Sequence, residues 1–314
     1  MPDKIAIVGT GLVGSAWAIV FARAGHRVAL YDDTDGQCEA ALARIQTNLE
    51  ALEDHGLIED PAAARTRISI AADLADALDG AAYAQESVFE RTDVKRAVYE
   101  QMDGIAGPEL IVASSSSGIP ASAFTEGLGI GPRCLIAHPI NPPYVIPLVE
   151  IVPAPWTEEE TVARCWRLME AADMEPVRLT REIDGFIANR LQAALLWEAF
   201  RLLEGGYATA KDIDTTISAG LGRRWSFIGP FETIDLNAPG GLADFCERLG
   251  EGFFEFVKQG EPAQPWSDAV VAKAHEERRD RLPMAEHGDR QAWRDRRLMG
   301  LAAHLRDARR EIGE

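Results

Sequence analysis

Lys4-Ile5-Ala6-Ile7-Val8, an apolar and β-branched run, breaks at once into Gly9-Thr10-Gly11-Leu12-Val13-Gly14, after which the chain takes up helical spacing. A strand that turns directly into a helix through three glycines leaves few folds open, because each glycine answers a separate steric demand. Gly9 permits the tight turn, Gly11 lets a ligand approach the backbone, and Gly14 lets the helix pack closely on the strand. The free N–H groups and the positive dipole end of that helix then face whatever lies above the turn, an arrangement suited to a phosphate group. Asp32, eighteen residues after Gly14 and at the end of the next apolar run (27 to 32), sharpens the reading. A carboxylate there accepts from both hydroxyls of a ribose and repels a 2′-phosphate, so the motif predicts NAD rather than NADP. Arg27 precedes the strand instead of following it, and is badly placed to rescue a 2′-phosphate. The expected cofactor contacts are Gly9, Gly11, Leu12, Val13, Gly14 and Asp32.

Further apolar runs at 67 to 71, 82 to 88, 110 to 116 and 134 to 140 alternate with amphipathic stretches, the pattern of an α/β doubly wound, mostly parallel sheet. Beyond Asp184 the periodicity changes to that of helices, beginning with Phe186, Arg190/Leu191, Ala194/Leu195 and Trp197 and stopping at Gly205-Gly206. With 314 residues, two cores are expected: a nucleotide-binding domain over 1–184 and an all-α domain over 185–314. The net charge of −18 argues against nucleic acid and anionic lipid as partners. Neither a leader-like start nor a long apolar run is present, which predicts a cytoplasmic protein. Cys38, Cys134, Cys165 and Cys246 lack metal-ligand spacing and are expected to be buried thiols, with no metal site.

His138 stands at the carboxyl end of the last of these strands, where open α/β sheets bind ligands, and Glu150 follows on a second strand of suitable length to lie alongside. Alcohol oxidation needs a base near neutral pH, and a carboxylate beside an imidazole orients the ring and stabilises the imidazolium as the proton arrives.

The glycine fingerprint, the serine-rich strand end Ser114-Ser115-Ser116-Ser117, the His138-Pro139-Ile140-Asn141-Pro142 segment and the Asp184-Gly185-Phe186 to Asn189-Arg190 helix start together resemble the 3-hydroxyacyl-CoA dehydrogenase superfamily, over nearly the whole chain. The stretches AHPINPPYVIPLVEIVP and GLGRRWSFIGPFE are most similar to its lambda-crystallin branch, which includes L-gulonate 3-dehydrogenase activity. The resemblance implies a Rossmann-type domain followed by a helical substrate and dimerisation domain, and hence a homodimer. It implies His138 as general base with Glu150 as its partner, Ser117 and Asn189 on the substrate oxygen, and Asn141, Glu90 and Lys95 near the nicotinamide side of NAD. It also implies oxidation of the 3-hydroxyl of an L-hydroxy acid to the 3-keto acid.

The thioester-using branch carries a serine and a lysine on the helix after the second strand. This chain has Asn48 and His55 there, among Glu50, Glu53 and Asp54, which would repel an anionic CoA. It also inserts Gly222-Arg223-Arg224-Trp225-Ser226-Phe227, where a guanidinium offers a bidentate clamp for a free carboxylate, and the resemblance to the lambda-crystallin branch implies Arg224 rather than Arg223 for that role. The expected substrate is therefore a small free 3-hydroxy acid, gulonate-like or 3-hydroxybutyrate-like. A 3-hydroxyacyl-CoA dehydrogenase and a non-catalytic, crystallin-like NAD-binding protein stand as alternatives, and a cationic carnitine-like substrate stays open. The run from Arg290 to Asp295, with Trp293, resembles the lambda-crystallin tail and is expected either to reach a partner subunit or to lie as a solvated helix.

Overall fold

A computed structural model describes residues 3–258 and 267–313. Its strands are β1 (Lys4–Val8), β2 (Arg27–Tyr31), β3 (Ile68–Ile70), β4 (Ala81–Glu86), β5 (Ile111–Ser114), β6 (Cys134–Pro139), β7 (Leu148–Pro153) and β8 (Glu175–Arg178). The helices are α1 (Leu12–Arg23), α2 (Gln37–Asp54), α3 (Pro61–Thr66), α4 (Leu74–Leu78), α5 (Thr92–Asp103), α6 (Ser122–Thr125) and α7 (Glu159–Ala171), then α8 (Ala188–Glu204), α9 (Ala210–Thr216), α10 (Gly222–Arg224), α11 (Pro230–Asp235), α12 (Gly241–Lys258), α13 (Asp268–Arg279) and α14 (His287–Ile312).

One sheet runs in the order β3-β2-β1-β4-β5-β6-β7-β8, parallel throughout except where β6 meets β7. β1 lies between β2 and β4, so the chain leaves it in opposite directions, and a crevice opens at its carboxyl end, where Gly9 begins the turn. Central strands covered on both faces read as unbroken apolar runs, and Ile5, Ala6, Ile7 and Val8 are all buried. Ile5 and Ile7 join one core with α1, α2 and α7, whereas Ala6 and Val8 join a second with α4 and α5, as strand alternation requires. Within the first core Trp17 stacks on Phe21, with 5.4 Å between ring centroids. Both rings are fully buried, so truncating Trp17 to alanine would cost about 3–5 kcal/mol.

β8, Glu175-Pro176-Val177-Arg178, has no apolar run and contains a proline, and sequence reasoning gave no sign of it. It is an edge strand, the place a sheet tolerates proline. Phe186 does not begin the long helix as its spacing suggested. Gly185 and Phe186 take φ of 74° and 50°, and α8 starts at Ala188. At the other end the helix stops at Glu204, before Gly206 with φ of 70°. Three of the four cysteines are buried free thiols, but Cys246 is exposed on α12, contrary to expectation.

The chain divides into two compact units, Met1–Asn189 with Trp293–Glu314, and Arg190–Ala292. The sequence reading assigned all of 185–314 to the second domain; the tail instead belongs with the first unit. Met299 enters the first core, Arg306 bonds the carbonyl of Gly56, and Arg309 pairs with Glu175 at 3.1 Å. The second unit is all helical, and its described side chains are mostly exposed. Among the described residues no helix is long and apolar enough to cross a membrane, and no His, Cys, Asp and Glu cluster could hold a metal ion.

Candidate active site

The antiparallel pairing of β6 and β7 sets His138 directly opposite Glu150, so the two side chains share one face of the sheet. His138 Nδ1 lies 2.7 Å from Glu150 Oε2, and both residues are buried, Glu150 to 1% exposure. An ionised carboxylate only accepts, so Nδ1 carries the shared proton and Nε2 keeps its lone pair. His138 is 5% exposed, and among the described residues its ring has one hydrogen-bond partner, Glu150, so no protein group occupies the Nε2 lone pair. Glu150 Oε1 accepts from the N–H groups of Ile187 and Ala188 at 2.8 and 3.0 Å. Burial alone would raise this carboxyl, but the bonds from His138, Ala188 and Ile187 outweigh it and hold it below the usual carboxylate range. Phe186 is buried with its ring centroid 5.6 Å from that of His138, and this packing offsets the cost of its left-handed backbone.

One carboxylate thus orients the imidazole with one oxygen and anchors the start of α8 with the other. Asn189, two residues into the segment so anchored, donates through Nδ2 to the carbonyl of Ser117. Ser117 is exposed, and its N–H donates to Glu90 Oε1 at 2.9 Å, as Ser116 Oγ does at 2.7 Å and Gly118 N at 3.2 Å. Partial burial pushes the Glu90 carboxyl up, but the Ser116 hydroxyl, the Lys95 charge and the Ser117 and Gly118 N–H groups bring it below its ordinary range. Four expected residues, His138, Glu150, Asn189 and Ser117, are therefore brought together through Glu150 and the start of α8.

Lys95 stands on the buried face of α5, one and two turns before Tyr99 and Met102, at 1% exposure. Its ammonium donates to Glu86 Oε1 and Oε2 at 2.9 and 3.1 Å, and lies 3.4 Å from Glu90 Oε2. Glu86, fully buried at the end of β4, also accepts from Ser114 Oγ at 2.6 Å and Val88 N at 2.7 Å. Sequence reasoning missed Glu86, although a glutamate closing a buried parallel strand demands a cationic partner. Asn141 is exposed in the loop after β6, joined to Pro142 by a cis peptide bond. Arg224 lies in the second unit on α10, followed by the exposed Trp225 and Phe227; among the described residues its guanidinium has no hydrogen-bond partner.

The glycine turn fits NAD. A Cβ at Gly9 would stand 2.7 Å from the backbone of Ser87, and one at Gly14 would stand 2.0 Å from the Gly9 carbonyl oxygen, so neither position admits a side chain. At Gly11 a Cβ would meet nothing within 4 Å, and so would fill the open space above the turn. Leu12 and Val13 open α1, whose first turn holds no acidic residue to repel a phosphate. Asp32 Oδ2 accepts from Thr10 N at 2.7 Å and Oδ1 from Thr34 N at 3.1 Å, which fixes the carboxylate beside the turn. Arg44, on α2 and absent from the sequence reading, donates to Ser15 Oγ at 2.7 Å.

Residues 4–183 match the family model for the 3-hydroxyacyl-CoA dehydrogenase NAD binding domain, and residues 185–281 the model for its C-terminal domain. The chain is 44% identical over 306 residues to a lambda-crystallin homolog of Bos taurus, covering 96% of this chain and 95% of the relative. It is 32% identical over 309 residues to an L-carnitine dehydrogenase of Pseudomonas aeruginosa, covering 98% and 95% respectively. Among solved structures, a 5-formyl-3-hydroxy-2-methylpyridine 4-carboxylic acid 5-dehydrogenase, an NAD+ dependent dismutase, superposes with a TM-score of 0.82 at 28% identity, covering 98% of both chains.

Proposed function

Because the chain belongs to the 3-hydroxyacyl-CoA dehydrogenase family, and is thereby an NAD-dependent oxidoreductase acting on CH–OH groups, we propose that it oxidises the 3-hydroxyl of a small free L-3-hydroxy acid, gulonate-like or 3-hydroxybutyrate-like, with His138 as general base. The observation that carries this reading is the 2.7 Å bond between His138 Nδ1 and the buried Glu150, which leaves Nε2 as the proton acceptor. The chemistry that NAD would supply when bound is that of a hydride acceptor for the carbinol carbon. The protein's part is placement and proton transfer. Gly9, Gly11, Leu12, Val13, Gly14 and Asp32 would hold the nucleotide, with Glu90, Lys95 and Asn141 toward its nicotinamide side. Nε2 of His138 takes the hydroxyl proton, and Glu150 stabilises the imidazolium that results. Ser117 and Asn189, held by one hydrogen-bonded segment, keep the substrate oxygen in line and lower the entropic cost of transfer.

A free acid is favoured over a thioester by Glu50, Glu53 and Asp54, all exposed on α2, which oppose an anionic CoA. Arg224 is assigned to the substrate carboxylate on the chemistry of a guanidinium that has no hydrogen-bond partner among the described residues and is followed by the exposed Trp225 and Phe227. A homodimer formed through the helical residues is part of the same proposal. No residue of α12 is buried, and Leu249, Phe253, Phe254, Phe256 and Val257 are all exposed, more apolar surface than a monomer ordinarily leaves open. The four unbridged cysteines suit a reducing, cytoplasmic setting.

Screening free 3-hydroxy acids, sugar acids, carnitine and hydroxybutyryl-CoA for NADH formation tests the reading. A free hydroxy acid is expected to give the highest kcat/KM. A far higher value with the thioester would move the chain to the acyl-CoA reaction, and no turnover with any of them would leave an NAD-binding protein without catalysis.

A further inference from the structure

We infer that Arg44 is part of the cofactor site, supplying the cation that meets the diphosphate of NAD. The glycine turn must receive an anion in a chain whose net charge is −18, with Asp32, Asp33 and Asp35 following the adjacent strand. The N–H groups of α1 and its dipole supply partial positive charge only, and the first turn of α1 carries no basic residue. Arg44 brings a full charge to the same spot. From the third turn of α2 its Nη1 reaches Ser15 Oγ at 2.7 Å, and the carbonyl oxygens of Thr10 and Gly11 at 3.3 and 3.4 Å.

The guanidinium is fixed at both ends. Ala41 and Ile45, beside it on α2, are fully buried in the first core, and Ser15 is itself buried and bonded to Thr10 and Gly11. Asp32 grips the turn through the N–H and hydroxyl of Thr10, and Arg44 grips it through the Thr10 and Gly11 carbonyls, so acid and base hold successive peptides of one turn. Nη1 alone makes these bonds. Among the described residues Nε and Nη2 have no hydrogen-bond partner, which leaves a planar edge of donors for phosphate oxygens. A residue serving only to brace α2 against α1 has no need of that edge.

The test compares dissociation constants of NADH, ADP-ribose and adenosine, by fluorescence and competition, for the full wild-type chain, Arg44→Lys and Arg44→Gln at low and high salt. Arg44→Gln is expected to weaken NADH and ADP-ribose about tenfold, with adenosine changed less than about twofold. The salt dependence of ADP-ribose binding becomes shallower, and Arg44→Lys falls between wild type and Arg44→Gln. Equal losses for adenosine and ADP-ribose, or no loss for either, would overturn the assignment. Should the variants not fold, labelling of wild-type arginines by phenylglyoxal decides the matter: pyrophosphate should protect Arg44 and adenosine should not, and the absence of protection refutes the role. No hydroxy acid enters these measurements, so their outcome is separate from that of the substrate reading.

Discussion

Replacing Glu150 by glutamine removes one charge and almost no volume, and its consequences follow from the two jobs of that carboxylate. Oε1 holds the N–H groups of Ile187 and Ala188, and Oε2 holds His138 Nδ1. A carboxamide has one accepting oxygen. If it stays with the two backbone donors, the amide NH2 faces the imidazole and drives the proton from Nδ1 to Nε2, where it blocks proton abstraction. If the amide turns over, its NH2 confronts the two N–H groups, and those buried donors lose their acceptor at about 1–3 kcal/mol each. In either orientation the imidazolium formed in the reaction loses its counter-charge. At a charge separation of about 4 Å and an effective dielectric constant near 20, that attraction is about 4 kcal/mol, which corresponds to about three decades in rate. The assay is kcat for the best substrate of the screen, beside NADH affinity by fluorescence quenching. We expect kcat to fall about a thousandfold with the NADH dissociation constant within about twofold of wild type. A variant within tenfold of wild-type kcat would refute the role of Glu150 in positioning and charging the imidazole.

Other consequences are as direct. Asp32→Ala should weaken NAD about tenfold, by loss of charge-assisted bonds to the ribose, and shift preference toward NADP; unchanged NAD affinity would show that Asp32 does not read the ribose. Arg224→Met should raise KM for free acids about tenfold with little change in kcat, and an unaltered KM would remove the carboxylate clamp. Glu90 and Glu150 are both held below the usual carboxylate range, so their stabilisation is complete above the unfolded value of about 4.3 and is lost as pH falls from there through the lower folded values. Urea midpoints measured across that window should fall for wild type and fall less steeply for Glu90→Gln; identical slopes would contradict the linkage.

The parts of the site legible in the sequence are those where a residue type is imposed by backbone geometry. Gly9 and Gly14 admit no Cβ, and Asp32 sits one strand away from them by the necessity of the parallel crossover. His138 and Glu150 were legible because two apolar strands of matching length make an antiparallel pair, in which residues 12 apart in sequence become direct neighbours. What escaped was whatever depends on long side chains or distant packing. Arg44 reads as one more charge on an amphipathic helix, and only the length of its side chain brings Nη1 to the glycine turn. Glu86 looks like a solvated residue until the sheet order stacks β4 against β5 and α5 brings Lys95 against it; Lys95 itself was named through the family resemblance, but its burial was not. Phe186 fitted the helical spacing of α8 by its place in the sequence alone; its backbone is left-handed and its ring packs beside His138. Arginine-rich α14 shows no core-facing stripe in its sequence, and its return to the first unit rests on Met299 and a few polar contacts.

The decisive measurement is the turnover of His138→Asn alongside its affinity for NADH. An asparagine can still donate to Glu150 but cannot take up a proton, so kcat should drop by at least a thousandfold while the NADH dissociation constant stays within about twofold of wild type. Turnover within tenfold of wild type, with the nucleotide bound normally, would contradict the assignment of the base.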